Sequence, residues 1–139
     1  MTDVTPVSLS SLLVPNKTID VDYPGLDGFK VSISFLAREE LVKIRKKATK
    51  TTFKNRQPVE ELNEELFLKI YVDAVIKGWE GLKYSFVQNL LLADISKFKP
   101  DDTLPYTSEN ALLLMKNSGE FDSFISETVN DLSVFTKAS

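Results

Sequence analysis

Two runs of alternating apolar and polar residues, TIDVDY and FKVSISF, flank the string PGLDG, and this stretch constrains the fold more than any other. Ile19, Val21 and Tyr23 fall on one face of the first run. Phe29, Val31, Ile33 and Phe35 fall on one face of the second. A period of two marks a half-buried strand, and Pro-Gly and Asp-Gly mark a turn. Residues 18–35 therefore read as a β-hairpin. Two strands alone are marginal in water, so their apolar face must rest on helices or on another subunit.

The chain that follows has the periodicity to supply helices. In AREELVKIRKKATK, Ala37, Leu41, Ile44 and Ala48 share a face, with Glu39 and Glu40 in the first turn where the helix dipole favours them. Thr51, Thr52, Asn55 and Gln57 break the pattern. Pro58 suits the first position of a second helix, with Glu60 and Glu61 in its first turn. Val59, Leu62, Leu66, Ile70 and Ala74 line that helix, widened by Phe67, Tyr71 and Val75, a face broad enough for a central core element. Gly78 has the spacing of a helix-ending C′ glycine. Residues 84–97 read as helix and PDDTLP as loop. Thr107 or Ser108 caps the next helix, which NSGE ends. A final helix carries Phe121, Phe124, Ile125, Val129, Leu132 and Phe135 on one side.

At 139 residues, 42% of them apolar and 27% charged, this amounts to one α+β domain, mostly α-helical, opening with a hairpin over residues 18–35. The domain runs 18–139, and residues 1–17, rich in Ser, Thr and Pro around Leu12-Leu13-Val14, read as a flexible arm. The single tryptophan sits between two glycines. Gly78, Trp79 and Gly81 read as a structural turn after the central helix, with the indole covering the apolar face beyond the helix end.

Catalytic options are few. The chain holds no cysteine and no histidine, which removes disulfides, thiolate nucleophiles, histidine general bases and histidine-ligated zinc. Asp20, Asp22 and Asp27 do not fit a calcium-binding loop, and no glycine-rich phosphate loop occurs. Carboxylates, lysines, tyrosines and hydroxyls remain, so a binding protein without catalytic residues, metal or cofactor is expected. No run reaches the roughly 20 apolar residues of a membrane span. No Lys or Arg precedes the first short apolar patch, which argues against a secretory signal.

Charge is uneven. From Arg38 to Arg56 eight basic residues face Glu39 and Glu40, a local balance of +6 in a chain of net −3, leaving −9 elsewhere. Lys43, Lys46, Lys47, Lys50 and Lys54 follow helical spacing as one basic stripe, a candidate for steering a charged partner. A solvated helix face is the plainest reading of it. Pairing with Glu60, Glu61, Glu64 and Glu65, within the chain or head to tail between copies, comes second. Nucleic acid comes third, because Phe53 is the lone aromatic in the segment and bases have little to stack on.

Four strings occur in a telling order: Ala37-Arg38-Glu39-Glu40-Leu41 opening a helix after the hairpin, Val75 to Leu82 (VIKGWEGL), Pro105 to Ala111 (PYTSENA), and an amphipathic helix from Phe121 to a late Phe135. Over about residues 18–136 this resembles the tail assembly chaperones of long-tailed, siphovirus-type bacteriophages. The chain departs from that pattern by an apolar insertion, Tyr84 to Lys99, and by one extra residue between Val75 and Trp79.

The resemblance implies a non-enzymatic factor in the cytoplasm of the infected bacterial host. Its partners would be the tape measure protein, which it keeps soluble, and the tail tube protein, which it recruits, with self-association possible. A chaperone for an aggregation-prone helix needs apolar surface fringed with charge. Candidates are Leu12, Leu13 and Val14, Phe29, Val31 and Ile33, Phe86 and Leu90, and Phe124 and Phe135, though core is the first reading of each. A small structural virion protein, for tail completion or head-tail connection, is the main rival. A nucleic-acid-binding regulator using Lys43 to Arg56 is the second.

Overall fold

The computed structural model describes residues 8–13 and 17–137. The expected hairpin is present. Strand β1 (Thr18–Asp22) pairs antiparallel with β2 (Lys30–Ser34), Ile19 opposite Ile33 and Val21 opposite Val31. Phe29, Val31 and Ile33 are fully buried, while the other face is polar, with the Ser32 hydroxyl donating to Asp20. Among the described residues before the hairpin there is a single helical turn, α1 (Leu9–Leu12).

Helix α2 (Arg38–Lys47) follows where its acidic first turn and basic last turn place it, with Ile44 and the capping Ala48 buried. The next stretch differs from expectation. Instead of entering a helix at Pro58, the chain forms a second hairpin, β3 (Thr49–Lys54) with β4 (Gln57–Leu62). Its two-residue turn holds Asn55 at φ 53° and Arg56 at φ 64°. That left-handed pair suits a tight hairpin turn, but an arginine occupies a position where glycine is usual. Glu60 and Glu61 thus lie on a strand, and α3 (Glu64–Val75) begins later. Asn63 caps it, its side chain accepting from the Leu66 amide at 3.1 Å.

The face that α3 buries is also rotated. Val72 and Val75 are buried, with Leu68 and Tyr71 packed beside them, whereas Leu62 and Leu66 are exposed. No glycine ends this helix. The chain passes directly into β5 (Ile76–Glu80), which adds to β2 as the third strand in the order β1-β2-β5. Gly78 and Trp79 are therefore strand residues opposite Ser32 and Val31, not a turn. A register shift between Ser32 and Ile33 leaves Lys77 as an extra residue, and this bulge aims both Ile76 and Trp79 at the core-side residues Ile33 and Val31.

The turn comes at Gly81, whose φ is +74°. A Cβ there would collide with the Gly28 carbonyl oxygen and lie 2.8 Å from its carbon, so glycine is required by both conformation and space. Helix α4 (Tyr84–Leu90) is only half the expected length, ending before a coil that runs to Tyr106. The excursion is nonetheless closed. The Leu104 amide donates to the Leu82 carbonyl, Tyr84 and Ser85 donate to Asp102 and Pro100, and Phe98 stacks on Tyr84.

Thr107 caps α5 (Ser108–Asn117), and Ser118 both ends it and caps α6 (Gly119–Asn130), accepting from the Phe121 amide. A short α7 (Leu132–Lys137) completes the chain as a separate piece of the expected final helix. Helices α3 and α6 pack on β2 and α5 touches both, so one face of the sheet carries the core, around Phe29, Phe121, Ile33, Ile76, Leu82 and Ile125. The molecule is an α+β domain with helices gathered on one side of a small antiparallel sheet.

Candidate functional site

Two surfaces stand out from this frame. The first is an apolar groove of about 440 Å³ lined by Leu12, Leu13, Lys17, Phe35, Leu132, Phe135 and Thr136. Helix α7 provides one wall and the helical turn α1 the other. The Lys17 ammonium donates to the Phe135 carbonyl at 2.7 Å, fastening the chain beside α7, and Phe35 meets Phe135 edge-on at 5.4 Å. Leu12, Leu13 and Leu132 expose 65%, 63% and 58% of their surface, so the groove is greasy at its rim as well as its floor.

The second surface is the β3–β4 hairpin. No residue from Lys50 to Leu66 is buried, and Phe53 exposes 73% of its surface. A cleft of about 490 Å³ lies between α2 and the hairpin, lined by Val42, Arg45, Lys46, Thr49, Thr51 and Glu60. The basic residues do not form one helical stripe. Lys43, Lys46 and Lys47 are on α2, whereas Lys50 and Lys54 are on β3. Lys54 reaches Glu61 across the hairpin at 3.1 Å, and Lys43 reaches Glu40 at 3.3 Å. Glu65 lies instead 3.9 Å from Lys116. All three pairs are on the surface and contribute little to stability.

The remaining candidates divide. Leu12 and Leu13 line the groove, and Val14 lies outside the described residues. Phe29, Val31 and Ile33 are core with no exposed surface, and Leu90 is buried, so none of these offers a free face to a partner, while Phe135 is buried in the floor of the groove. The cause is the helical cover over the hairpin, which turns its apolar face inward. Phe86 is half-buried under the Lys83 ammonium, 5.5 Å from the ring centre. Phe124 is half-buried against Tyr23 at 4.7 Å, beside a hollow of about 400 Å³ that includes Pro24, Glu120 and Glu127. Burial, with the Glu120 carboxylate close by, pushes the Tyr23 phenol up to about 12. Burial likewise raises Tyr71.

Trp79 joins two of the strings that the sequence held apart. Its indole N–H donates to the Leu104 carbonyl at 3.0 Å and its ring meets Tyr106 edge-on at 5.2 Å, while the Tyr106 hydroxyl donates to the Ile76 carbonyl. The indole fastens β5 to the strand-like segment before α5. Leu66 and Leu132 fit helical apolar patterns whose burial depends on neighbours, and Val42 lies beside the apolar face of α2, so the exposure of the three leaves no local mark in the sequence. Among the described residues no group of three or more acidic side chains is placed to hold a metal ion, and no helix is long and apolar enough to cross a membrane.

Fold and surfaces define a small α+β domain with an apolar groove at one place and a protruding charged hairpin at another. A model of the YdaY prophage protein family matches residues 35–139. The chain belongs to that family and is a phage-derived protein. The match begins just after β2 and includes α2, the second hairpin, β5 and every later helix. No curated protein matches the chain, and no solved structure does.

Proposed function

We propose that this protein is a tail assembly chaperone, which binds the tape measure protein, keeps it soluble and helps recruit tail tube subunits, without catalysis and in the host cytoplasm. Its prophage family agrees with that setting. The ordered strings from Ala37 to Phe135 support the narrower role. The observation that carries the reading is the groove between α1 and α7, an apolar channel with exposed leucines at its rim. An amphipathic client helix would bury its apolar face there by the i, i+3, i+4 anchoring common to helix-in-groove recognition.

Co-expression with a fragment of the same phage's tape measure protein tests this. The expected result is a soluble fragment that co-purifies with the chain, and its return to the pellet when Leu12→Asp and Leu132→Asp are combined. A fragment that stays insoluble beside the wild-type chain, with tube protein also absent from the pull-down, overturns the proposal. Stoichiometric presence in purified particles would instead assign a structural virion role.

A further inference from the structure

We propose that the β3–β4 hairpin is a docking arm that accepts an extended acidic segment of a partner protein as a third strand along the outer edge of β3. This stands apart from the tape measure reading, which uses the groove beside α7. A two-stranded hairpin with nothing buried from Lys50 to Leu66 has little of its own to hold it. A third strand would supply the missing ladder.

Backbone parity shows which edge is available. The Asn63 amide donates to the Ala48 carbonyl at 2.8 Å. In the register running from Thr49–Leu62 to Lys54–Gln57, the bonded pairs are therefore Lys50–Glu61, Thr52–Val59 and Lys54–Gln57. The amides and carbonyls of Thr49, Thr51 and Phe53 point outward from β3, and those of Pro58, Glu60 and Leu62 point outward from β4. Pro58 has no N–H to give, so addition to β4 is blocked at that point. The β3 edge keeps all three donors, and among the described residues no strand pairs with it.

Charge selects the occupant. Lys50 lies on this strand, Arg56 in its turn and Lys46 in the cleft beside Thr49 and Thr51, and none of the three has an ion pair among the described residues. A strand with carboxylates at alternate positions would set them beside Lys50 and Lys54 on one face of the hairpin, and its other face would lie on the side of Thr51 and Phe53, where Val42 and Lys46 line the cleft. A second copy pairing through its own β3 would instead bring two +6 segments together. A nucleic acid would find one aromatic side chain, and cations divided between the two faces of the hairpin.

The test uses the whole chain, isotope-labelled, with a capped octapeptide alternating valine and glutamate. Amide exchange of Thr51 and Phe53 should slow about tenfold or more in its presence, and raising salt from low to high should weaken binding about tenfold. A valine–lysine octapeptide should do nothing. Thr51→Pro should abolish the protection, and Lys46→Glu with Lys50→Glu should weaken binding at least about tenfold with the far-ultraviolet spectrum unchanged. The proposal is overturned by unchanged exchange at Thr51 and Phe53, or by equal binding of the lysine peptide. Protection that grows with protein concentration alone would point to a second copy. Binding of oligothymidylate without binding of the acidic peptide would point to nucleic acid.

Discussion

The chain builds the same motif twice, with opposite fates. In the first hairpin, alternating Ile19, Val21, Val31 and Ile33 present an apolar face that α3 and α6 cover. In the second, Thr and Lys dominate β3, Glu60 and Glu61 sit on β4, and no side chain of either strand is buried. The turns differ too, since glycines at φ +83° and +87° relax the first while Asn55 and Arg56 adopt the left-handed region without that help. A hairpin becomes part of a core when its side chains can be buried, whatever the quality of its turn.

The contrast can be broken most forcefully at matched aromatics. Phe29→Ala, in the fully buried ring of the first hairpin, should cost about 4 kcal/mol, whereas Phe53→Ala at the second should stay within about 0.5 kcal/mol in urea unfolding. Similar losses at both would erase the distinction. Gly81→Ala attacks the first hairpin through its tip, against the Gly28 carbonyl, and should cost about 3 kcal/mol, read as a drop of several degrees in melting temperature.

A titration sharpens it further. Tyr23 packs on Phe29 at 5.4 Å, and its folded value of about 12 lies above the ordinary 10. A raised value favours the neutral phenol in the folded state, so its contribution is complete below pH 10 and lost between pH 10 and 12. Stability measured across that range should fall, and Tyr23→Phe should lessen the fall. The smallest effect is at the second turn. Arg56→Gly should stabilise the arm by about 1 kcal/mol, visible in exchange of its amides and nearly absent from global unfolding.

The first hairpin was legible because its apolar period, its turn residues and its burial all agree. The second was not, because its strands lack an apolar face to alternate and its turn lacks glycine, while Pro58 and the two glutamates mimic a helix start. The signal available was the β-prone run TKTTF ahead of an asparagine. Strand β5 was hidden by its bulge, which gives Val75, Ile76 and Trp79 the i, i+1, i+4 spacing of a helix. Of the candidate site, Leu12 and Leu13 were found as a free apolar pair. The groove itself depends on where α7 turns back beside Lys17, a long-range contact without local trace.

Native-state hydrogen exchange on the isolated chain measures the division most directly. The bonded amides of Thr52, Lys54 and Val59 should open at least about 2 kcal/mol more easily than those of Val31 and Ile33, at every protein concentration. Equal protection of the two hairpins would mean that the arm already belongs to the core, and would contradict the account.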